Sequence, residues 1–365
     1  MNTSSSAASQ AKFAPPPETA VPNAPAAPDA PEFDPARLDA FLRKALPGLS
    51  GAMRLSRISG GQSNPTFFVT FDNRRLVLRK QPPGEVLPSA HAVDREFRIM
   101  RALSETDVPV PPTLLFQPER DVIGTPFYVM ERVEGRVFHD NALPGVEPEE
   151  RRAMYFAMAE TMAKLHTADW AGLGLADYGR PGSYFARQLG RWTKQWQLSR
   201  TREIPEVDCL IEWLPTHMAP DDETTICHGD FRFGNLMFHP TEPRVVAVLD
   251  WELSTLGHPL ADAAFSCIGW HSRPEWYGGV LGLDQKALGI PTQAEYLERY
   301  DRAAGRTSGV ETFHLVFSLF RFAVILEGIA ARAKAGNAAA ENAAQVGDLS
   351  VAFARRAVEL INTGR

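Results

Sequence analysis

The stretch ICHGDFRFGNLMF, residues 226–238, sets a polar run between two apolar ones. It holds His228, then Asp230, then Asn235 after four intervening residues. Downstream, NLMFH and RVVAVLDWE are apolar runs on either side of a PTEPR turn, which predicts a β-hairpin. Asp250 follows Asn235 by fifteen positions and ends the second strand of that hairpin. A hairpin of this length returns a carboxylate toward the loop that carries Asp230. A capping aspartate and a turn asparagine would explain the loop taken alone. The hairpin and the second aspartate are what that explanation leaves over.

Outward from the hairpin, the C-terminal sequence is mainly helical. EPEERRAMYFAMAETMAKLHTAD (147–169) and SYFARQLGRWTKQWQLSR (183–200) are amphipathic, and helices are expected over 293–304, 310–335 and 337–362. The N-terminal side reads differently. MRLSRISGGQSNPTFFVTFDNRRLVLRK (53–80) gives three strands separated by a glycine turn and a DN turn. SAHAVDREFRIMRALSET (89–106) predicts a helix, with Ala92, Phe97, Met100 and Leu103 on one face. TLLFQPERDVIGTPFYVMERVEG (113–135) gives two further strands. FDPARLDAFLRKALPG (33–48) opens the ordered chain with a helix: Asp34 caps it, Pro35 fits its first position, and Leu38, Phe41 and Leu42 form its stripe. The expected fold class is α+β and bilobal. A small antiparallel β lobe with one helix spans 33–133, and a larger, mainly helical lobe spans 134–365. Residues 1–32 contain seven prolines and nine alanines. They offer too little apolar surface to offset ordering entropy, so a disordered tail is expected.

At 365 residues the chain is long enough for two packed lobes. Its formal net charge of -6 argues against a nucleic-acid partner, which selects a basic surface. Cys209, Cys227 and Cys267 are too few and scattered for a disulfide framework, and no CxxC pair suggests zinc. No run of 18 apolar residues predicts a membrane span, and the N-terminus lacks the apolar centre of a secretory signal. A cytoplasmic location is the expectation.

Phosphoryl transfer from ATP needs a cover for the phosphates, a cation to orient them, oxygen ligands for Mg²⁺ and a base near the attacking hydroxyl. Asp230 and Asn235 repeat the Asp-to-Asn spacing of the kinase catalytic element, in which they are base and metal ligand. Asp250 supplies the second carboxylate that a hard cation favours. VLRK (77–80) ends a strand, where alternation sets Val77 and Arg79 on one face and Leu78 and Lys80 on the other. One of these two cations faces the cleft and the other is expected in solvent. Glu96, in the next helix, is the natural ion-pair partner. SGGQSN (59–64) is a turn in which Gly60 and Gly61, with Ser63 beside them, let the backbone approach phosphates. The turn matches neither GxGxxG nor GxxxxGK[ST], and a plain hairpin explains it equally well. His166 is expected to close a helix, His228 to brace the loop by hydrogen bonds, and Trp192 and Trp196 to pack in the core. Arg321, Arg332 and Lys334 are expected on a solvated face.

HGDFRFGN, VLDWE, GHPLADAAF and FYVMERVEG together resemble the aminoglycoside phosphotransferase-like family, which shares the protein-kinase fold. The resemblance covers about residues 55–335. More narrowly, GGQSNPTFF, LVLRKQPPG and FRFAVILEGIAARAKAGN are similar to the phosphotransferase domains found fused to acyl-CoA dehydrogenases. The resemblance implies ATP and Mg²⁺, with Asp230 as catalytic base and Asn235 and Asp250 as metal ligands. It implies that Arg79 is the strand cation, Glu96 its partner, and Glu131 to Val133 the adenine-binding link between lobes. Asp262 takes the place of a buried aspartate that supports the catalytic loop. Two departures stand out: an arginine occupies the usual lysine position, and Trp251-Glu252 replaces the Phe-Gly of protein kinases. The implied activity is transfer of the γ-phosphate to a hydroxyl of a small molecule. A hydroxyacyl-CoA or related metabolite is the acceptor that the narrower resemblance favours. An aminoglycoside fits less well, because the helices expected to hold the substrate carry several Arg and Lys side chains. A catalytically silent nucleotide-binding regulator is the competing reading, and the complete set of Asp230, Asn235 and Asp250 argues against it.

Overall fold

A computed structural model of the protein describes residues 32–58, 64–84, 91–219, 223–306, 309–334 and 343–363. The expected tail, apart from Glu32, lies outside these residues, as do Gly60, Gly61 and Ser63 of the glycine turn. The first lobe comprises α1 (Pro35–Ala45), β1 (Arg54–Arg57), β2 (Thr66–Thr70), β3 (Arg75–Lys80), α2 (Val93–Leu103), β4 (Thr113–Gln117) and β5 (Phe127–Glu131). Beyond it run α3 (Pro148–Thr167), α4 (Tyr184–Ser199), α5 (Pro205–Thr216), β6 (Thr225–Cys227), β7 (Leu236–Phe238), β8 (Val245–Val248) and β9 (Thr255–Gly257). Then come α6 (Pro259–Ser266), α7 (Ile268–His271), α8 (Gln285–Leu288), α9 (Gln293–Ala304), α10 (Thr312–Lys334) and α11 (Ala343–Thr363).

The five strands of the small lobe form one antiparallel sheet in the order β1-β2-β3-β5-β4. Register decides which face each side chain takes. Phe67 pairs with Leu78 and Val69 with Leu76, and these four build a compact core with Leu38 and Leu42 of α1. Phe68 pairs with Val77 and Thr66 with Arg79 on the opposite face, which fronts the inter-lobe cleft. That face also carries α2, whose Phe97 ring stacks 5.7 Å from Phe116 and lies 6.3 Å from Tyr128. The sheet therefore has a helix on each side, at the two places where helices were expected.

α1 forms as its sequence dictates. The Asp34 carboxylate accepts the amide of Ala36, Pro35 opens the first turn, and Leu38 and Leu42 are fully buried. Its placement corrects the expectation for Lys80. Alternation does turn Lys80 away from the cleft, but α1 covers that face, so Lys80 is 1% exposed rather than solvated. Its Nζ lies 3.5 Å from Glu32, just ahead of α1, and burial lowers its pKa.

In the large lobe α3 packs against α9, and α10 lies among α11, α4 and α6. α10 is 23 residues long and apolar enough to cross a membrane, yet 89% of its apolar stretch is buried within the protein. A helix apolar on all sides is covered on all sides. The predicted hairpin is present as β7–β8. A second pair, β6 with β9, was not expected and brackets the hairpin. β6 leads into Asp230, β8 leads into Asp250, and β9 returns to β6. That circuit carries both aspartates on adjoining loops, each near enough to act on the charge of Arg232.

Candidate active site

The loop after β6 is held from several directions. Gly229 has φ +85°, a left-handed conformation, and an added Cβ would lie 2.6 Å from the Leu253 carbonyl oxygen. Only glycine fits there. The buried carboxylate of Asp262 accepts the amides of His228, at 2.5 Å, and Gly229, at 2.9 Å. Burial pushes the Asp262 pKa up, but the bond and charge of His166, with His228 and the Gly229 amide, hold it below the usual value. His228 Nδ1 accepts the Asp230 amide at 3.2 Å, so Nε2 is the protonated nitrogen and donates to the Leu249 carbonyl at 2.8 Å. The imidazole thereby joins the backbone at Asp230 to the backbone just before Asp250.

Asp230 and Asn235 meet as the spacing suggested. Asn235 Nδ2 donates to Asp230 Oδ2 at 2.7 Å and to the Asp230 carbonyl at 2.8 Å. Arg232 Nε lies 3.1 Å from both carboxylate oxygens of Asp230. Asp250 sits at φ 63°, ψ 64°, a left-handed position that aspartate tolerates better than most side chains. Its Oδ1 accepts from Arg79 Nη2 at 2.7 Å, across 171 positions of sequence.

Arg79 reaches the cleft and Lys80 does not. The Arg79 Nε lies 2.9 Å from Glu96 Oε2, forming the anticipated strand-to-helix pair. Glu96 is 1% exposed and also accepts Asn64 Nδ2 at 2.6 Å and the Tyr128 hydroxyl at 3.1 Å. Burial opposes the charge on Arg79, but Glu96, Tyr128, Asp250 and Glu252 outweigh it and raise its pKa. Burial likewise pushes the Glu96 carboxyl up, against Arg79 and its two hydrogen-bond donors.

Above this cluster lies a cleft of about 400 Å³. Its walls are Phe68, Val77 and Met130 from the sheet, Met237 and Leu249 from the hairpin, and the chain from Glu131 to Gly135. Glu131 and Val133 thus line the cleft together, but the Glu131 carboxylate is taken by Arg74 at 2.5 Å, which leaves its backbone to face a ligand. A second, smaller pocket opens beside Arg232, the side chain that holds Asp230, with His139, Phe265, Tyr277 and Phe322 also in its wall. Burial and the neighbouring Arg232 lower the His139 pKa. Tyr277 is partly exposed at φ 71°, an outlier for a bulky residue, and its ring lies 5.7 Å from the Arg232 guanidinium. Sequence reasoning missed Asn64, Tyr128, Arg232 and Tyr277. Arg232 stood in plain view within the loop, and the PEWYGG turn (274–279) was the available signal for Tyr277.

Among the described residues no three His, Cys, Asp or Glu side chains converge on a metal position. The oxygen set is two aspartates and one asparagine amide, the hard donors that Mg²⁺ takes.

A small antiparallel sheet flanked by helices, a helical lobe, and a loop-hairpin unit facing the cleft define a bilobal kinase-like fold. The profile of the phosphotransferase enzyme family, APH, matches residues 54–312, and the chain belongs to that family. It is 43% identical over 325 residues to mouse acyl-CoA dehydrogenase family member 10, covering 87% of this chain and 30% of that protein. It is 41% identical over 338 residues to chicken acyl-CoA dehydrogenase family member 11, covering 90% and 43%. The chain therefore spans less than half the length of these relatives. Among solved structures, a candidate aminoglycoside phosphotransferase from Ralstonia eutropha JMP134 superposes with TM-score 0.83 at 44% identity, covering 91% of this chain and 99% of that one. Aminoglycoside phosphotransferase APH(4)-Ia, in a ternary complex with AMP-PNP and hygromycin B, shares the fold with TM-score 0.59 at 17% identity, covering 87% and 98%.

Proposed function

We propose that the chain transfers the γ-phosphoryl group of ATP to a hydroxyl of a small molecule, with Asp230 as the base. The observation that carries this reading is the linkage of two contact sets, Asp230 with Asn235 and Asp250 with the Arg79–Glu96 pair, through His228 and the Leu249 carbonyl. The cleft of about 400 Å³ has the apolar walls and backbone edge that suit a purine. Mg²⁺, held by Asn235 and Asp250, would neutralise charge on the phosphates.

Each side chain then has a task. Arg79 sits where a polyphosphate would pass, and Glu96, itself held by Asn64 and Tyr128, holds its guanidinium in place. Asp230, bound to Arg232 of the second pocket's wall, takes the proton of the attacking hydroxyl. Arg232 and Asn235 hold the Asp230 carboxylate in one orientation, which lowers the cost of aligning base and hydroxyl.

The wall of that second pocket supports one acceptor class over another. Among the described residues its wall contains a guanidinium and an imidazole and no carboxylate besides Asp230, which Arg232 holds at its edge, and this disfavours a polycationic aminoglycoside. A neutral or anionic hydroxy compound suits it better. The names of the mouse and chicken relatives support a hydroxyacyl-CoA or related metabolite. ATP consumption measured against a panel of hydroxyacyl-CoA thioesters, hydroxy acids and aminoglycosides tests this. Turnover with an acyl-CoA or hydroxy acid is expected. Turnover confined to aminoglycosides would overturn the acceptor assignment.

A further inference from the structure

Arg321 of α10 is a buried cation that the reaction so far leaves without a task. It is 6% exposed, against the solvated face expected from sequence. Its guanidinium lies 5.0 Å from the Phe265 ring centroid and 5.5 Å from that of Trp192. Its Nε has no hydrogen-bond partner among the described residues. Burying a cation without a paired carboxylate is costly, so a neutral apolar side chain would fill this space more cheaply.

What the guanidinium does touch is informative. Its Nη2 donates to the carbonyl oxygen of Gly229, the residue before Asp230. Asp262 grips the same residue from the other side, through the Gly229 amide. Opposite charges thus hold the donor and the acceptor of one glycine, whose φ of +85° is a conformation that its missing Cβ permits. The peptide plane so fixed is the one from which Asp230 projects.

We propose that Arg321 is a positioning residue for phosphoryl transfer, clamping the Gly229 carbonyl so that the Asp230 carboxylate meets the acceptor hydroxyl. The proposal rests on Asp230 being the base. A bond from a charged donor, once lost, lets the peptide rotate, and misplacement of a reacting group by about 1 Å can lower a rate on the order of 10²-fold.

Arg321→Met keeps an unbranched side chain and removes the donor, and Arg321→Lys keeps a charge and one donor. Amide hydrogen exchange in the full-length protein reads the clamp directly. In Arg321→Met, exchange over residues 226–238 should rise by about tenfold or more, with α10 at wild-type rates and most protection restored in Arg321→Lys. ATP turnover, with water as acceptor, should fall by about 10- to 100-fold, with KM for ATP within about twofold. Unchanged exchange in the loop would overturn the proposal. So would a rise spread through α10 and α4 together with the loop, the mark of a residue that only fills the core. Should the wild type turn over no ATP even with the acceptors of that panel, the kinase reading fails while the exchange result still decides the clamp.

Discussion

Two adjacent cations, Arg79 and Lys80, take opposite faces of β3 and opposite fates. Arg79 joins Glu96 to Asp250 across the lobes, and Lys80 lies beneath α1 beside Glu32. Arg79→Ala should raise KM for ATP and lower turnover together. Lys80→Met should leave ATP kinetics within about twofold of wild type and should not lower the melting temperature, because an apolar side chain of similar length replaces a buried ion. Steady-state kinetics and thermal denaturation of both variants check this, and the reverse pattern would exchange their roles. A second residue-scale expectation concerns Gly229, where a Cβ meets the Leu253 carbonyl. Gly229→Ala should cost at least about 1–2 kcal/mol in denaturant unfolding, since strain at positive φ adds to the clash. The divergence of Arg79 from Lys80 was legible in strand alternation. The burial of Lys80 was not, because a strand's pattern cannot say whether solvent or a helix lies over its second face.

The loop-hairpin unit was legible because each part carries a local signal: apolar runs, a Pro-rich turn, and aspartates at fixed spacing. β6 and β9 were not, since strands of three residues are too short for a period of two to show. α10 presents the converse difficulty. Its long apolar run fitted a helix but hid the work of its polar members, and His314 and Arg321 are both buried within it. Burial, with His258 and Arg306 nearby, lowers the His314 pKa to about 4, while its ring packs on Phe185. Folding therefore favours the neutral ring. That contribution is complete above pH 6.5, where the unfolded histidine is also neutral, and is lost as pH falls toward 4. His314→Gln should flatten the acid limb of the stability curve, by up to roughly 3 kcal/mol between pH 7 and pH 4. Melting temperatures of both proteins over that range provide the test, and parallel curves would contradict it.

On the scale of the whole molecule, α2 is the element fixed to both lobes. Its Glu96 meets β3, and its Arg95 packs over the Tyr178 ring at 4.1 Å and donates to the Tyr178 carbonyl at 2.7 Å. The Arg79–Asp250 contact closes the cleft from the other side. A ligand that engages both walls should therefore stabilise the protein as a unit. ATP with Mg²⁺ is expected to raise the melting temperature more than ATP with chelator, and Asp250→Asn should abolish that difference. Equal shifts with metal and with chelator would count against Asn235 and Asp250 as ligands. The order of lobes was readable from the change of hydrophobic period along the chain. The second pocket was not, because His139, Arg232, Phe265, Tyr277 and Phe322 come from separate segments that only the packed lobe unites. The central claim is that Asp230 is the base, and its direct test is Asp230→Asn with turnover and nucleotide affinity measured on the same preparation. Turnover should fall by about 10²–10⁴-fold, with Kd for ATP within about twofold and an unchanged melting temperature. Turnover within a few-fold of wild type would contradict the claim, reducing the loop to a polar turn between two strands.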